Sequence, residues 1–180
     1  IFRSPIIRFY LMSLLVVSVL VTLNLRWEDV AATWGEAFRF ASFHVISFAS
    51  TCGLANADSS HWPLFSIFLL MYISMQCACS GSTTGGIKVD RILIAFKSIG
   101  NEINRRIRPH AVSQVRMSGH HLSDSSVHSV MMYIVTYIIV IFISILAVMI
   151  CGSDASEAVS GVIASIGSVG PGLGELGAMD

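Results

Sequence analysis

The sequence predicts an all-α membrane protein built from repeats of span, short re-entrant helix, loop and span, one complete and one partial. Three observations predict it. Charge is scarce: 12% of the 180 residues are Asp, Glu, Lys or Arg, against 54% hydrophobic and a mean hydropathy of +0.73, where soluble domains carry about 25% charge. Three apolar runs approach or reach the length of a membrane span. Finally, two short, moderately apolar segments each end in a hydroxyl residue, a small apolar residue and a glycine, at Thr51-Cys52-Gly53 and again at Ser168-Val169-Gly170, 117 residues later.

Taken in order, 9–25 is uncharged, preceded by Arg8 and followed by Arg26-Trp27. At about 17 residues it meets the lower limit of a spanning helix. Residues 34–50 carry Glu36, Arg39 and His44 and suit a helix of about three to four turns that does not cross. The second run, 62–79, opens on Trp62-Pro63, an interfacial helix start. Cys77-Ala78-Cys79-Ser80-Gly81-Ser82-Thr83-Thr84-Gly85-Gly86-Ile87-Lys88 then interrupts a helical pattern that resumes over 89–99. The third run, 130–151, is β-branched and aromatic; at about 20 residues it reads as a membrane helix rather than a strand. Residues 156–165 form the second short segment, capped by Ser153 or Asp154. Shifting the chain by 117 residues also pairs Ala41 with Ala158, Val45 with Val162 and Ile46 with Ile163, and internal repeats mark many transport folds.

Charge placement orients these elements. Lys88, Arg91, Lys97, Arg105, Arg106, Arg108 and Arg116 lie between the second and third runs, seven of the eleven basic residues, while Arg3 and Arg8 precede the first. The positive-inside rule places both regions in the cytoplasm. Glu28, Asp29, Glu36, Asp58, Asp154 and Glu157 then face outside, so both short helices enter from the outer side.

Irregular backbone inside a membrane must be buried in protein or line a watery cavity. Carbonyls of such a loop can replace a cation's hydration shell, and a helix C-terminus pointing at them favours positive charge. The segment 80–86, with its glycines and hydroxyls, reads as a gate below these loops or as a cytoplasmic turn. Other chemistry is thinly supported. Lys88 does not directly follow a P-loop glycine, Gly167 to Gly174 follow a helix rather than a strand, and Cys77 and Cys79 form C-x-C without a histidine spaced for zinc. The zero net charge gives no indication of nucleic-acid binding. His110, His120 and His121 read as loop residues. An intramembrane hydrolase using His44 and Ser47, or a purely structural bundle, are the alternative readings.

Ser50-Thr51-Cys52-Gly53-Leu54-Ala55-Asn56-Ala57-Asp58, then Ser80-Gly81-Ser82-Thr83-Thr84-Gly85-Gly86-Ile87-Lys88, then Val169-Gly170-Pro171-Gly172-Leu173-Gly174 resemble, in that order, the Trk potassium-uptake proteins of the wider Trk/Ktr/HKT superfamily. The resemblance covers essentially the whole chain. It implies a potassium-channel-like fold in which four repeats surround one pathway, with 1–124 as the third repeat and 125–180 as the fourth without its final span. The chain then reads as the C-terminal half of a membrane subunit, joined to a missing N-terminal half. The resemblance also implies K+ as the transported ion, with no organic cofactor and no enzymatic reaction. Thr51, Cys52 and Gly53 with Ser168, Val169 and Gly170 match the ion-binding filter. Ser80, Gly81, Ser82, Thr83, Thr84, Gly85 and Gly86 match an intramembrane gating loop. The implied setting is the bacterial cytoplasmic (inner) membrane, as a multi-pass homodimer that binds a cytoplasmic nucleotide-binding regulatory subunit (TrkA-like), for which 97–116 is a candidate contact. One departure is visible: the second loop lacks the Thr-x-Gly form of the first.

Overall fold

A computed structural model describes residues 4–59, 62–79, 81–107, 116, 117, 120–170 and 172. Ser80, Arg108, His110 and Pro171, singled out above, lie outside the described residues, as do 173–180.

Helix α1 (Pro5–Trp27) has Pro at its first turn and Arg26 in its last, which suit the free N–H groups and the dipole respectively. Its 23 residues span about 34 Å at 1.5 Å each. Val17, Val21 and Leu25 are buried along one face, with Leu11, Leu15, Val19 and Leu23 exposed elsewhere, the pattern of a helix packed on one side and lipid-facing on the other. α2 (Trp34–Ala49) begins at Thr33, whose hydroxyl accepts the Glu36 N–H at 3.2 Å, an N-cap bond. Its 16 residues reach about 24 Å, short of a hydrocarbon core of about 30 Å.

The second apolar run is helical for only 13 residues, α3 (Leu64–Gln76), not throughout 62–79. The helix stops at Cys77, whose φ of 50° leaves the helical region, where the interruption read over 77–88 begins. The chain re-enters a helix at α4 (Val89–Ile107), which runs eight residues past the expected end at 99. α4 is amphipathic, with Phe96, Ile99, Ile103 and Ile107 exposed on one stripe.

Arg116–Met117 and His120–His121 pair as an antiparallel two-residue ladder, β1 and β2, where the sequence predicts only a loop. α5 (Asp124–Ile150) starts at Ser123, which caps the Ser126 N–H at 3.3 Å, and is 27 residues long. α6 (Ala155–Gly167) is the second short helix; Asp154 occupies its N-cap but makes no side-chain cap bond.

α1 and α5 are the helices among the described residues long and apolar enough to cross a membrane alone. α1 packs on α2 and α3, α5 on α6 and α4, and α3 joins the two groups through α6. Polar cross-links fix α3 on α1: Ser66 Oγ donates to Asn24 Oδ1 and Gln76 Nε2 to Ser13 Oγ, both at 2.7 Å. Hydrogen bonds between membrane helices contribute about 0.6 to 2 kcal/mol each. They hold in place the helix whose broken end carries the glycine-rich loop.

Candidate functional site: two glycine loops and a stapled break

Both short helices end in the same backbone device. After α2, Thr51 has φ 56° and Gly53 φ 66°, with Cys52 between them on the negative side. After α6, Ser168 has φ 60° and Gly170 φ 102°, with Val169 negative between them. Residues alternating in handedness put successive N–H groups on one side of the chain and carbonyls on the other. The N–H side is anchored. Cys52 N–H donates to the Ser47 carbonyl at 2.9 Å, and Val169 N–H to the Ala164 carbonyl at 2.9 Å. Thr51 N–H reaches the Phe48 carbonyl at 3.3 Å, and Ser168 N–H the Ser165 carbonyl at 3.1 Å. Every partner shifts by the same 117 residues. The N–H groups of both loops are thus bonded to the preceding helix, and a loop that coordinates cations uses its carbonyls.

The glycines at 53 and 170 adopt this conformation at little cost. Thr51 and Ser168 do not. A residue with a Cβ in the left-handed region costs roughly 1–2 kcal/mol, and a β-branched one is a true outlier. Such strain concentrates where surrounding structure enforces it for a purpose. Sequence reasoning named Thr51 and Ser168 as motif residues but not their positive φ, because composition carries no signal for a non-glycine residue in that region.

The break between α3 and α4 is a packed loop, not an open turn. It leaves at Cys77 (φ 50°) and ends at Lys88 (φ 69°). Ile87 N–H returns to the Met75 carbonyl at 2.9 Å and Val89 N–H to that of Ala78 at 3.4 Å, so the loop's two ends meet. Inside it, Ser82 and Thr84 share a 2.7 Å hydrogen bond and Lys88 Nζ donates to the Ser82 carbonyl at 2.9 Å. From α5, Tyr133 Oη donates to the Gly86 carbonyl at 3.3 Å, with the Arg91 guanidinium 3.9 Å over its ring.

This loop touches the second glycine loop's helix. A Cβ on Gly85 would collide with the Ile166 carbonyl and lie 2.9 Å from the Gly167 carbonyl carbon. A Cβ on Gly167 would lie 3.0 Å from the Ser74 carbonyl, and one on Gly86 would lie 2.6 Å from Cys77 Sγ. Three backbones therefore meet at van der Waals distance directly below Ser168.

His44 and Ser47 are not joined by a hydrogen bond among the described residues. His44 is buried, with Nδ1 3.0 Å from the Phe40 carbonyl and its ring 4.6 Å from that of Trp62. Ser47 Oγ accepts the Leu54 N–H at 2.7 Å. Each has a structural partner in place of the nucleophile–base contact a hydrolase needs.

A family model described as TrkH, cation transport protein, matches residues 4–179. The Trk system potassium uptake protein TrkH of Salmonella typhimurium is 33% identical over 172 residues, covering 96% of this chain and 36% of that protein. The TrkH of Halomonas elongata is 34% identical over 177 residues, covering 98% and 36%. The crystal structure of the potassium transporter TrkH from Vibrio parahaemolyticus matches with a TM-score of 0.89 at 30% identity, over 97% of this chain and 37% of that one. The chain thus spans little more than a third of the relatives it matches, and over that length it has their all-α, potassium-channel-like membrane fold. The chain belongs to the TrkH family of cation transport proteins.

Proposed function

We propose that this chain forms two of the repeats lining a potassium pathway in the bacterial cytoplasmic membrane, as part of a multi-pass protein. Residues 1–124 serve as the third repeat and 125–180 as part of the fourth. The observation that carries this reading is the repeated loop: the same alternation of φ, with the same N–H anchors, closes both short helices at a constant spacing. Carbonyls of Thr51, Cys52, Gly53, Ser168, Val169 and Gly170 take the place of water around a partly dehydrated K+, and two further loops from the rest of the protein complete the ring. The dipoles of α2 and α6 favour the cation at their C-terminal ends. Residues 80–86 gate the path below. K+ is cargo, and no covalent step or organic cofactor is used.

The family resemblance further implies a homodimer and a cytoplasmic nucleotide-binding regulatory subunit, for which 97–116 is the proposed contact. The test is uptake by the full-length protein in a host lacking potassium transport. Gly53→Ser should lower potassium-over-sodium discrimination, because a side chain at φ 66° displaces the carbonyls on either side. An unchanged ratio of potassium to sodium flux removes the filter assignment.

A further inference from the structure

We propose that Ser47 is a positioning residue for ion selectivity. The inference rests on the filter reading above and names what holds its outer edge in register.

Ser47 does two things at once. Its carbonyl receives the Cys52 N–H at 2.9 Å, and its hydroxyl receives the Leu54 N–H at 2.7 Å. The first bond anchors the middle of the Thr51-Cys52-Gly53 loop, the second the residue just beyond Gly53. Ser47 is buried, at 5% exposure, so its own hydroxyl and carbonyl have little access to water. The loop between these anchors contains Thr51 at an unfavourable φ of 56° and needs restraint from both ends to hold that conformation.

Moving by the internal spacing, Ser47 becomes Ala164 and Leu54 becomes Pro171. The carbonyl anchor is kept, since Val169 N–H donates to the Ala164 carbonyl at 2.9 Å. The hydroxyl anchor is lost, and its donor is lost with it. Alanine has no hydroxyl and proline has no N–H. The two changes fit each other chemically. A serine hydroxyl at 164 would find no N–H donor at position 171, and the alanine there leaves no acceptor unmatched. Leu54 is 61% exposed, so its side chain contributes little packing and the backbone donor is what the position provides.

The experiment is a double-mutant cycle on the full-length protein, reading potassium and sodium flux separately, with membrane expression measured for every variant. Ser47→Ala should lower the potassium-to-sodium ratio about fivefold, the scale set by one lost buried hydrogen bond. Ser47→Thr, which keeps the acceptor, should preserve the ratio. Leu54→Pro alone should lower it further, because the ring meets Ser47 Oγ. The double variant Ser47→Ala with Leu54→Pro copies the second loop's pair and should recover most of the wild-type ratio, a non-additivity that only a direct coupling produces. An unchanged ratio in Ser47→Ala overturns the proposal. So does a double variant no better than the worse single, or a fall in total flux at constant ratio. Gly53→Ser separates the two levels of inference. If it shifts the ratio while Ser47→Ala does not, the tether fails and the filter stands. If neither shifts it, the filter reading itself has failed.

Discussion

The two glycine loops share a backbone and differ in what lies behind them. After α2, the loop is held by its own helix: Ser50 Oγ bonds back to the Ile46 carbonyl at 2.7 Å, and Cys52 is exposed. After α6, the residue equivalent to Ser50 is Gly167, pressed against the Ser74 carbonyl and against Gly85, while Val169 is buried at 4% exposure. The first loop is self-supporting; the second rests on the stapled loop between α3 and α4. The difference teaches that a repeat can preserve dihedral angles while changing their source. Only the second loop is placed to register a movement of residues 81–86.

The substitution with the largest expected effect attacks that contact. Gly85→Ala directs a methyl into the Ile166 and Gly167 backbone, which cannot swing aside as a side chain does. Overpacking of this kind costs about 1–3 kcal/mol, so the thermal midpoint of the purified full-length protein should fall and potassium uptake should change more than tenfold. Labelling of the exposed Cys52 by a thiol reagent should stay near the wild-type rate. Equal disturbance at Cys52 would erase the distinction between the loops.

A smaller effect is expected from releasing the stapled loop without crowding it. Lys88→Met removes a charge-assisted bond to the Ser82 carbonyl, a class of interaction contributing about 1.5–3 kcal/mol. The loop should loosen and uptake should rise while the potassium-to-sodium ratio holds, as measured by paired flux assays. A changed ratio would mean that these residues act on selectivity and not on access alone. The smallest effect concerns the helix starts. Thr33→Ala should cost about 1 kcal/mol of stability through its lost cap. Asp154→Ala should cost less, about 0.3–1 kcal/mol, because Asp154 contributes only charge near the dipole. Thermal melts of the two variants decide the order.

Much of this was legible in the residues. Scarcity of charge and the lengths of the apolar runs identify α1 and α5, and the polar interruptions Glu36, Arg39 and His44 mark α2 as too short and too mixed to cross. Gly53 and Gly170 sit at positive φ, as the glycine motifs led one to expect. The break between α3 and α4 was legible as the polar, glycine-rich stretch 77–88, which is where α3 stops and α4 has not yet begun; the positive φ of Cys77 was not, because Cys77 is neither glycine nor asparagine. The helical pattern read over 89–99 continues through Gly100 to Ile107, since a glycine facing open space is tolerated inside α4. The contact of Gly85 with Gly167 joins residues 82 positions apart, and no local pattern encodes which glycine another backbone will approach. The Ser47–Leu54 pair was in principle readable, since the repeat comparison shows both positions changing together.

The staple between α3 and α4 has a further consequence. Because Ile87 N–H returns to Met75 and Val89 N–H to Ala78, the chain between them starts and finishes at the same place in space. The entropy of closing a loop grows only slowly with its length, by about 0.6 kcal/mol per doubling. Residues could be added around 81–84 without altering how α3 and α4 meet their neighbours, whereas Gly85 and Gly86 are tied to the Gly167 backbone and to Tyr133. The loop thus combines a tolerant arc with a fixed foot.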